Sequence, residues 1–312
     1  MFRKLKNIKQ ALINAYEIKN IIKINNNFVI NELEYKTIIN NLKYKILTSK
    51  EIGIATEKYF ENDVIVSLTS YGKRIYDVCL TIESLMEQTL KPNKIILWLA
   101  ENEFSDKTIP ESLKILQKKG LTIDYCEDIK SYKKLIPTLI NYPNDIIITV
   151  DDDIIFQFDI IENLINSYKQ NSDIIHFGRG HRMKFKIDGN LENYKKWDFC
   201  ISNMEINKLN FPTGGGGCLY PPNCFHKDIT NKEIFMKFCP TADDVWFKTM
   251  SLLNGMLSKK VLTHNPNGED YFYLHDYIQN ETALWNINKT KNDEQIKAVF
   301  QKYNIYELLK VK

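Results

Sequence analysis

Three adjacent carboxylates interrupt an apolar stretch near the middle of the chain. The run Ile146–Val150 is apolar and β-branched, and Asp151, Asp152 and Asp153 follow it at once. Clustered carboxylates raise one another's pKa unless a cation neutralises them, and Mg²⁺ or Mn²⁺ commonly binds one or two carboxylates plus water and phosphate oxygens. In an extended chain Asp151 and Asp153 share a face and are the predicted metal ligands. The alternative is a solvated loop or a helix cap.

A second acidic pair, Asp243 and Asp244, opens the segment "TADDVWFKTMSLLNG", which has the pattern of an apolar-faced helix ending at Gly255. A carboxylate at a helix start is often only an N-cap. Backbone N–H groups there also lower the pKa of a carboxylate, which weakens it as a base. A general base in this pair is therefore expected to be the carboxylate that points into a cleft and is partly desolvated.

Glycines and basic residues accompany the two acidic clusters. The "GGGG" run, with Gly215 and Gly216 at its centre, would let a sugar ring lie against bare backbone, or would form a flexible turn. Lys133 and Lys134 either supply charge to a diphosphate or begin a solvated helix. Another polar set could line an acceptor or phosphate site: His176, Arg179, His181 and Arg182. Two histidines late in the chain, His264 and His275, are either metal ligands or structural.

Short apolar runs alternate with helical patterns from residue 63 onward. The predicted strands are residues 64–70, 94–100, 121–126, 145–150 and 173–178, with helices at 74–88, 111–119, 133–141 and 159–169. Such alternation predicts an α/β fold with an open, mainly parallel sheet and helices on both faces. Ligands of these sheets bind beyond the carboxyl ends of the strands, where Asp151–Asp153 are expected.

The segment "VIVSLTSYGKRIYDVCLTIESLMEQTLKPNKIILWL", together with the later "VDDD", resembles the nucleotide-binding half of the GT-A glycosyltransferases, particularly the family 2 type. The likeness covers residues 63–156 and, more loosely, 205–255. It implies a GT-A-like (Rossmann-like) fold that binds a nucleotide-diphosphate sugar, with a divalent cation, Mn²⁺ or Mg²⁺, bridging the aspartates and the diphosphate.

The resemblance also implies roles for individual residues. Thr69 and Tyr71 would contact the nucleotide base, and Asp151 or Asp152 the ribose or base. Asp153 would hold the metal. In "DDVWFK" the layout of the family places the general base at Asp244, with Asp243 beside it as a cap or an acceptor contact. The family often has an acidic pair after its second strand, where this chain has "LAENEF" and Glu101 is the nearest counterpart.

Composition restricts the remaining classes. The chain has 312 residues and a net charge of +3, which does not favour a nucleic-acid partner. It has no apolar stretch of about 18 residues, and its first residues lack the pattern of a signal peptide. The six cysteines are scattered without a CxxC pair, which favours reduced thiols and the cytoplasm. Residues 1–60 begin as a basic amphipathic helix, either packed on the main domain or adsorbed to an anionic membrane surface.

These observations predict three segments: residues 1–60, a catalytic domain over 61–265 with halves 63–156 and 157–265, and a helical extension over 266–312. The predicted function is metal-dependent, inverting transfer of a sugar from a nucleotide-sugar donor, a UDP-sugar, to a glycan or lipid-linked glycan on the cytoplasmic side of a membrane. A sugar nucleotidyltransferase and a non-catalytic, metal-dependent carbohydrate-binding protein are the alternatives. The first usually has a Gly-rich, basic loop after its first strand, and the second needs no acidic pair at a helix start.

Overall fold

The fold is taken from a computed structural model of the chain, which describes residues 33–264, 271–274 and 284–309. Two compact units are present, Met1–Thr48 and Ser49–Lys312. In the first unit, residues 33–48 form helix α1. The predicted amphipathic helix near the start of the chain lies outside the described residues. The predicted segments 1–60, 61–265 and 266–312 stay a prediction.

The larger unit is built on a sheet of seven strands in the order β10-β6-β9-β4-β1-β2-β3. The strands are β1 (Val64–Thr69), β2 (Lys94–Ala100), β3 (Leu121–Cys126), β4 (Ile146–Val150), β5 (Ile154–Phe156), β6 (Ile175–Phe177), β7 (Gly180–Arg182), β8 (Asn210–Pro212), β9 (Gly216–Tyr220), β10 (Ser258–Lys260) and β11 (Tyr271–Tyr273). Strands β5 with β11, and β7 with β8, form two small antiparallel sheets.

Most pairs in the main sheet are parallel. Strand β1 pairs in parallel with β2 and β4, β2 with β3, and β6 with β10. Strand β9 is inserted antiparallel between β4 and β6. The helices are α2 (Val78–Met86), α3 (Glu111–Gln117), α4 (Ile136–Asn141), α5 (Ile160–Gln170), α6 (Lys232–Phe238), α7 (Asp243–Leu253), α8 (Leu284–Lys302) and α9 (Ile305–Leu309). The predicted α/β architecture with a mainly parallel sheet is confirmed.

Two predicted helices are shorter in the structure than in the sequence pattern. The segment that was expected to be helical from residue 74 to residue 88 opens with a 3-10 turn over Gly72–Tyr76 before α2 begins. The segment expected at 133–141 is likewise a 3-10 turn followed by α4, because a proline occupies the first turn of α4 and fixes its start. Both turns lie beside the sheet edge that carries the aspartates.

Sheet register brings the chemically interesting segments to one edge. Ser67 of β1 lies beside Thr149 of β4, so both strands end at the same level, just before the three aspartates. Strand β9 runs the other way and begins next to the end of β4, where the ladder shifts between Thr149 and Val150. The glycines that precede β9 therefore meet the aspartates that follow β4. Helices α8 and α9 contact α7 and complete this side of the unit.

Candidate active site

Asp152 and Asp153 share one arginine at the end of β4. Asp152 is buried, and its carboxylate accepts hydrogen bonds from Ser70 Oγ at 2.6 Å and Arg74 Nη1 at 2.7 Å. The same Nη1 lies 3.2 Å from Asp153 Oδ2. The chain turns at Asp152 and Asp153 rather than running extended, so the predicted alternation of side chains does not apply. The guanidinium supplies part of the neutralisation that such a cluster needs.

Asp151 faces a different cation, Lys134. The lysine ammonium lies 2.8 Å from Asp151 Oδ1 and 3.1 Å from Asp243 Oδ2, so it joins the aspartates after β4 to those at the start of α7. Burial works against the charge of Lys134, but Asp151 and Asp243 outweigh it and raise the pKa of the amine. Lys133 is also buried and pairs with Asp128. The expectation of a solvated helix start is wrong for both lysines.

The acidic pair of α7 is held by hydrogen bonds from two loops. Ser131 Oγ donates to Asp243 Oδ1 at 2.8 Å, and the N–H of Gly214 donates to Asp244 Oδ1 at 2.8 Å. The N-cap of α7 is Ala242 without a side-chain hydrogen bond, so neither aspartate caps the helix. Burial and the charge of Asp243 raise the pKa of Asp244 to about 7. The expected lowering by helix N–H groups is therefore outweighed, and this carboxylate can accept a proton near neutral pH.

The glycine run packs closely against the acidic residues. A Cβ on Gly215 would come within 1.9 Å of Asp151 Oδ2, and one on Gly216 within 2.5 Å of the Arg179 Cβ. Both glycines are buried. Thr149 Oγ1 donates to the carbonyl of Gly214 at 2.9 Å. The absence of a Cβ at Gly215 and Gly216 therefore leaves the space that Asp151 and Arg179 occupy. Their role as direct sugar contacts stays a prediction.

The donor set suits a divalent cation. Burial and the charges of Asp151 and Asp152 raise the pKa of Asp153 to about 7, so a further positive charge would be accommodated there. Burial opposes ionisation of Asp151 as well, but Lys134 outweighs it and the pKa of Asp151 is lowered. Within the described residues no side chain donates a hydrogen bond to Asp151 Oδ2 or Asp153 Oδ1. Two carboxylate oxygens are thus available for a hard ion.

The protein offers the ion little beyond these two oxygens. Across the described ranges, no group of three or more His, Cys, Asp or Glu residues is arranged to hold a metal. Water and substrate oxygens would complete the shell, as Mg²⁺ commonly arranges. His264 pairs with Asp159 at 2.7 Å, while His275 lies outside the described residues. A third protein ligand is therefore not assigned.

The predicted base-binding residues line the turn after β1. Thr69 Oγ1 donates to the carbonyl of Trp98 at 2.8 Å. The Tyr71 ring lies under the Arg74 guanidinium, 5.2 Å from ring centroid to Cζ. Glu101 is exposed at the end of β2, and Glu103 accepts a hydrogen bond from the N–H of Gly72 at 2.6 Å. Thr69 and Tyr71 thus stand beside the aspartate cluster, and their contact with a base stays a prediction.

The structure separates the candidates of the "HFGRGHR" segment. His176 is buried between Ser167 Oγ at 2.9 Å and the carbonyl of Asn171 at 2.8 Å, which marks it as structural. Arg179 donates to Thr213 Oγ1 at 3.1 Å, next to the glycine run. Arg182 donates to Asn210 at 2.7 Å, and His181 accepts from the Cys200 N–H at 3.1 Å. Among these four residues, it is the side chain of Arg179 that the structure places against Thr213 and Gly216.

Sequence reasoning missed three residues that organise the site: Ser70, Arg74 and Ser131. Ser70 and Arg74 stand within five residues of the predicted Thr69 contact in "TSYGKR", so a signal was present in the basic residue of that turn. Ser131 lies 112 residues from Asp243, and no local pattern indicates that they meet.

No family model matches the chain, and no curated protein matches it. Among solved structures, the chain is similar to S. aureus TarS residues 1–349, at 12% identity over 80% of this chain and 67% of that chain, with a TM-score of 0.47. The UDP complex of TarS 1–349 is 12% identical over 67% of this chain and 59% of that chain, with a TM-score of 0.43. CMP:2-keto-3-deoxy-manno-octonic acid synthetase complexed with CTP is 10% identical over 64% of this chain and 89% of that chain, with a TM-score of 0.35.

Identities of 10–12% and TM-scores below 0.5 describe a distant likeness of fold. Evidence on the chemistry of the site therefore comes from the side chains of this chain. Among the described residues, no helix has the length and apolarity needed to span a membrane.

Proposed function

We propose that the chain is a metal-dependent, inverting glycosyltransferase that moves a sugar from a nucleotide-diphosphate sugar to a hydroxyl of a glycan or lipid-linked glycan. One observation carries the proposal. Two acidic clusters, one after β4 and one at the start of α7, are held together by Lys134, whose ammonium contacts Asp151 at 2.8 Å and Asp243 at 3.1 Å. Glycosyl transfer needs both a site for diphosphate charge and a nearby base, and this arrangement supplies carboxylates suited to each.

The aspartates after β4 would serve the donor. Asp153 and Asp151 would hold the cation, which stabilises negative charge on the departing nucleoside diphosphate when it is bound. Arg74 fixes Asp152 and Asp153, and Lys134 fixes Asp151, so the carboxylates are positioned before substrate arrives. Thr69 and Tyr71, in the adjoining turn, are the proposed contacts of the nucleotide base. A UDP-sugar is the proposed donor.

Asp244 would act as the general base. Its Oδ1 is fixed by the Gly214 N–H at 2.8 Å, and its pKa is raised to about 7, so the carboxylate combines a defined position with useful proton affinity. The acceptor oxygen forms a bond to the anomeric carbon from the face opposite the leaving group. The bond from that carbon to the diphosphate oxygen breaks, and its electron pair stays on the diphosphate. The acceptor proton passes to Asp244.

Two features weigh against the alternatives. A nucleotidyltransferase would use backbone N–H groups after its first strand to cradle phosphate, whereas the Gly72 N–H donates to Glu103 at 2.6 Å and Ser70 donates to Asp152. A carbohydrate-binding protein needs no second acidic cluster. An enzyme, by contrast, needs a proton acceptor, and the pair Asp243 and Asp244 supplies one because the pKa of Asp244 is about 7.

The donor half of the proposal is tested by calorimetry with UDP, CDP and GDP, with and without MnCl₂. We expect one nucleotide to bind in an Mn²⁺-dependent manner, and Asp153→Ala to abolish that dependence while the protein stays folded. Asp198→Ala removes an exposed carboxylate that pairs with Lys184 and is the matched control. Unchanged nucleotide affinity of Asp153→Ala in the presence of Mn²⁺ would contradict the assignment.

A further inference from the structure

One glutamine of α8 holds the loop that precedes the acidic pair of α7. The N–H of Thr241 donates to Gln295 Oε1 at 3.0 Å, and Gln295 Nε2 donates to Thr241 Oγ1 at 2.9 Å. Gln295 is buried, with 6% of its surface exposed. A single side-chain amide therefore meets both the backbone and the hydroxyl of one residue, which stands two positions before Asp243.

A second element holds the start of the same loop. The Tyr132 hydroxyl, in the 3-10 turn before α4, donates to the carbonyl of Cys239. The Cys239 thiol in turn donates to the carbonyl of Ala242 at 2.9 Å. Residues 239–242 are therefore tied to the turn before α4 as well as to α8.

Helix α7 begins without a side-chain cap. Ala242 is its N-cap residue, and no side chain there accepts a backbone N–H. The Ala242 carbonyl accepts the first helical hydrogen bond, from the N–H of Val245 at 3.0 Å. A capping side chain would normally help to fix such a start. In its absence the start depends on bonds to the neighbouring residues, and the two bonds between Gln295 and Thr241 are among them.

The proposed base depends on where α7 begins. Asp244 lies in the first turn, its Oδ1 accepts a hydrogen bond from the Gly214 N–H at 2.8 Å, and its pKa is raised to about 7 chiefly by burial. A displaced first turn would lengthen this hydrogen bond and admit water. Hydration favours the ionised carboxylate, so it would lower the pKa and weaken the base. Catalytic groups need to be held within about 0.5 Å of their productive geometry.

We propose that Gln295 is a positioning residue for the general base: through Thr241 it fixes the start of α7 and so keeps Asp244 at the Gly214 N–H. This inference rests on the proposed function and adds α8 to the elements that the site requires. Gln295 acts through Thr241 and needs no contact with substrate. The same turn of α8 also carries Asp293, whose Oδ1 accepts the N–H of Tyr194 at 2.7 Å, so it holds the segment between β7 and β8 as well.

The test compares Gln295→Ala with Gln301→Ala in the full chain. Gln301 is exposed on the same helix, so its replacement makes the same chemical change away from the loop. Transfer to a panel of methyl glycosides is measured across pH, with the nucleotide-sugar whose nucleotide binds in calorimetry as donor. Gln295→Ala should lower kcat about three- to tenfold, the effect of about one hydrogen bond, with the KM for the donor unchanged.

The pH profile separates positioning from general stability. Because hydration lowers the pKa of Asp244, the acid limb of the pH–rate profile should move to lower pH in Gln295→Ala. Gln301→Ala should keep the wild-type kcat and acid limb. A lowered Tm in Gln295→Ala with wild-type kcat and acid limb would overturn the inference, because the glutamine would then only stabilise the fold.

Changes at Thr241 provide a milder second comparison. Thr241→Ser keeps the hydroxyl and should keep the wild-type kcat, whereas Thr241→Val removes it and should reproduce part of the loss. Combined with Gln295→Ala, Thr241→Val should add less than it does alone, because the two side chains are in contact. Fully additive losses would contradict the inference. Should Gln295→Ala fail to fold, equal kcat values in Thr241→Ser and Thr241→Val would contradict it as well.

Hydrogen exchange followed by mass spectrometry gives a result that does not depend on activity. Exchange in peptides that cover residues 239–246 should rise in Gln295→Ala and stay at the wild-type level in Gln301→Ala. Wild-type exchange in Gln295→Ala would overturn the inference. Wild-type protein that transfers to no glycoside and hydrolyses no nucleotide-sugar would instead overturn the proposed function, while exchange would still show whether Gln295 fixes the start of α7.

Discussion

The two acidic clusters are neutralised in different ways. After β4, three carboxylates are met by two cations, since Arg74 serves Asp152 and Asp153, and Lys134 serves Asp151. At the start of α7, two carboxylates have only a share of Lys134, at 3.1 Å from Asp243. Among the described residues, no cation lies within salt-bridge distance of Asp244, whose carboxylate accepts a hydrogen bond from the N–H of Gly214 at 2.8 Å.

Because of this difference, Asp151 keeps a fixed negative charge whereas Asp244 can take up a proton near neutral pH. The pKa of Asp151 is lowered because Lys134 outweighs burial, so Asp151 stays ionised. The pKa of Asp244 is raised to about 7 because burial and Asp243 outweigh Lys134. Lys134 therefore contacts both clusters, yet Asp151 favours the ionised state and Asp244 is shifted towards the protonated state. A site that must hold a charged donor and also remove a proton needs this division.

The largest effect is expected from Arg74→Ala. The change leaves Asp152 buried without its cation, and breaking such a buried pair typically costs about 3–5 kcal/mol of unfolding free energy. Urea denaturation followed by circular dichroism measures it. Lys184→Ala breaks an exposed pair with Asp198 and should cost less than about 1 kcal/mol. Equal, small losses in both variants would show that the aspartates after β4 do not depend on Arg74.

A smaller effect should distinguish two neighbouring glycines. A Cβ on Gly215 would meet Asp151 Oδ2 at 1.9 Å, whereas one on Gly214 would meet Asp244 Oδ1 at 3.2 Å. Gly215→Ala should therefore cost about 1–3 kcal/mol and weaken nucleotide binding, as overpacking does. Gly214→Ala should cost less, and its effect should fall on turnover. The same two measurements, urea denaturation and calorimetry, decide it, and the reverse order would argue against the observed packing.

The pH dependence should be the mildest signature. Asp244 must be ionised to accept a proton, so kcat/KM should fall about tenfold for each pH unit below its pKa of about 7. Lys134→Met removes a cation that favours the ionised form, and the acid limb should move to higher pH. Lys133→Met removes a buried lysine that pairs with Asp128 instead and should leave the profile in place. A profile that is identical in all three proteins would show that Asp244 is not the titrating base.

Local sequence patterns were sufficient for the sheet and for the position of the aspartates. A β-branched run that stops at three carboxylates favours a buried strand that ends at a polar edge, and β4 does end at Val150. The position of β9 was not predictable in this way. It enters the sheet antiparallel beside β4, and only the non-local pairing of Ile148 with Leu219 reveals this.

The neutralising partners were also beyond local reasoning. Arg74 and Asp152 are 78 residues apart, and Ser131 and Asp243 are 112 apart. Ion pairs of this kind depend on how crossovers bring loops to one edge, and residue types alone do not fix it. The burial of Lys134 could not be predicted for the same reason, because a lysine at a helix start is ordinarily solvated and the sequence left both interpretations open. Its two carboxylate partners account for the exception.

The most direct test of the account is Asp244→Asn, with turnover and donor binding measured on the same preparation. The amide keeps the size of the side chain and an oxygen for the Gly214 N–H, but it cannot take the proton. We expect turnover to fall by about 10²-fold or more, the usual scale for general-base catalysis, with donor affinity in calorimetry unchanged. Near-normal turnover in Asp244→Asn would contradict the account. If Asp243→Asn were inactive at the same time, the base would lie one residue earlier.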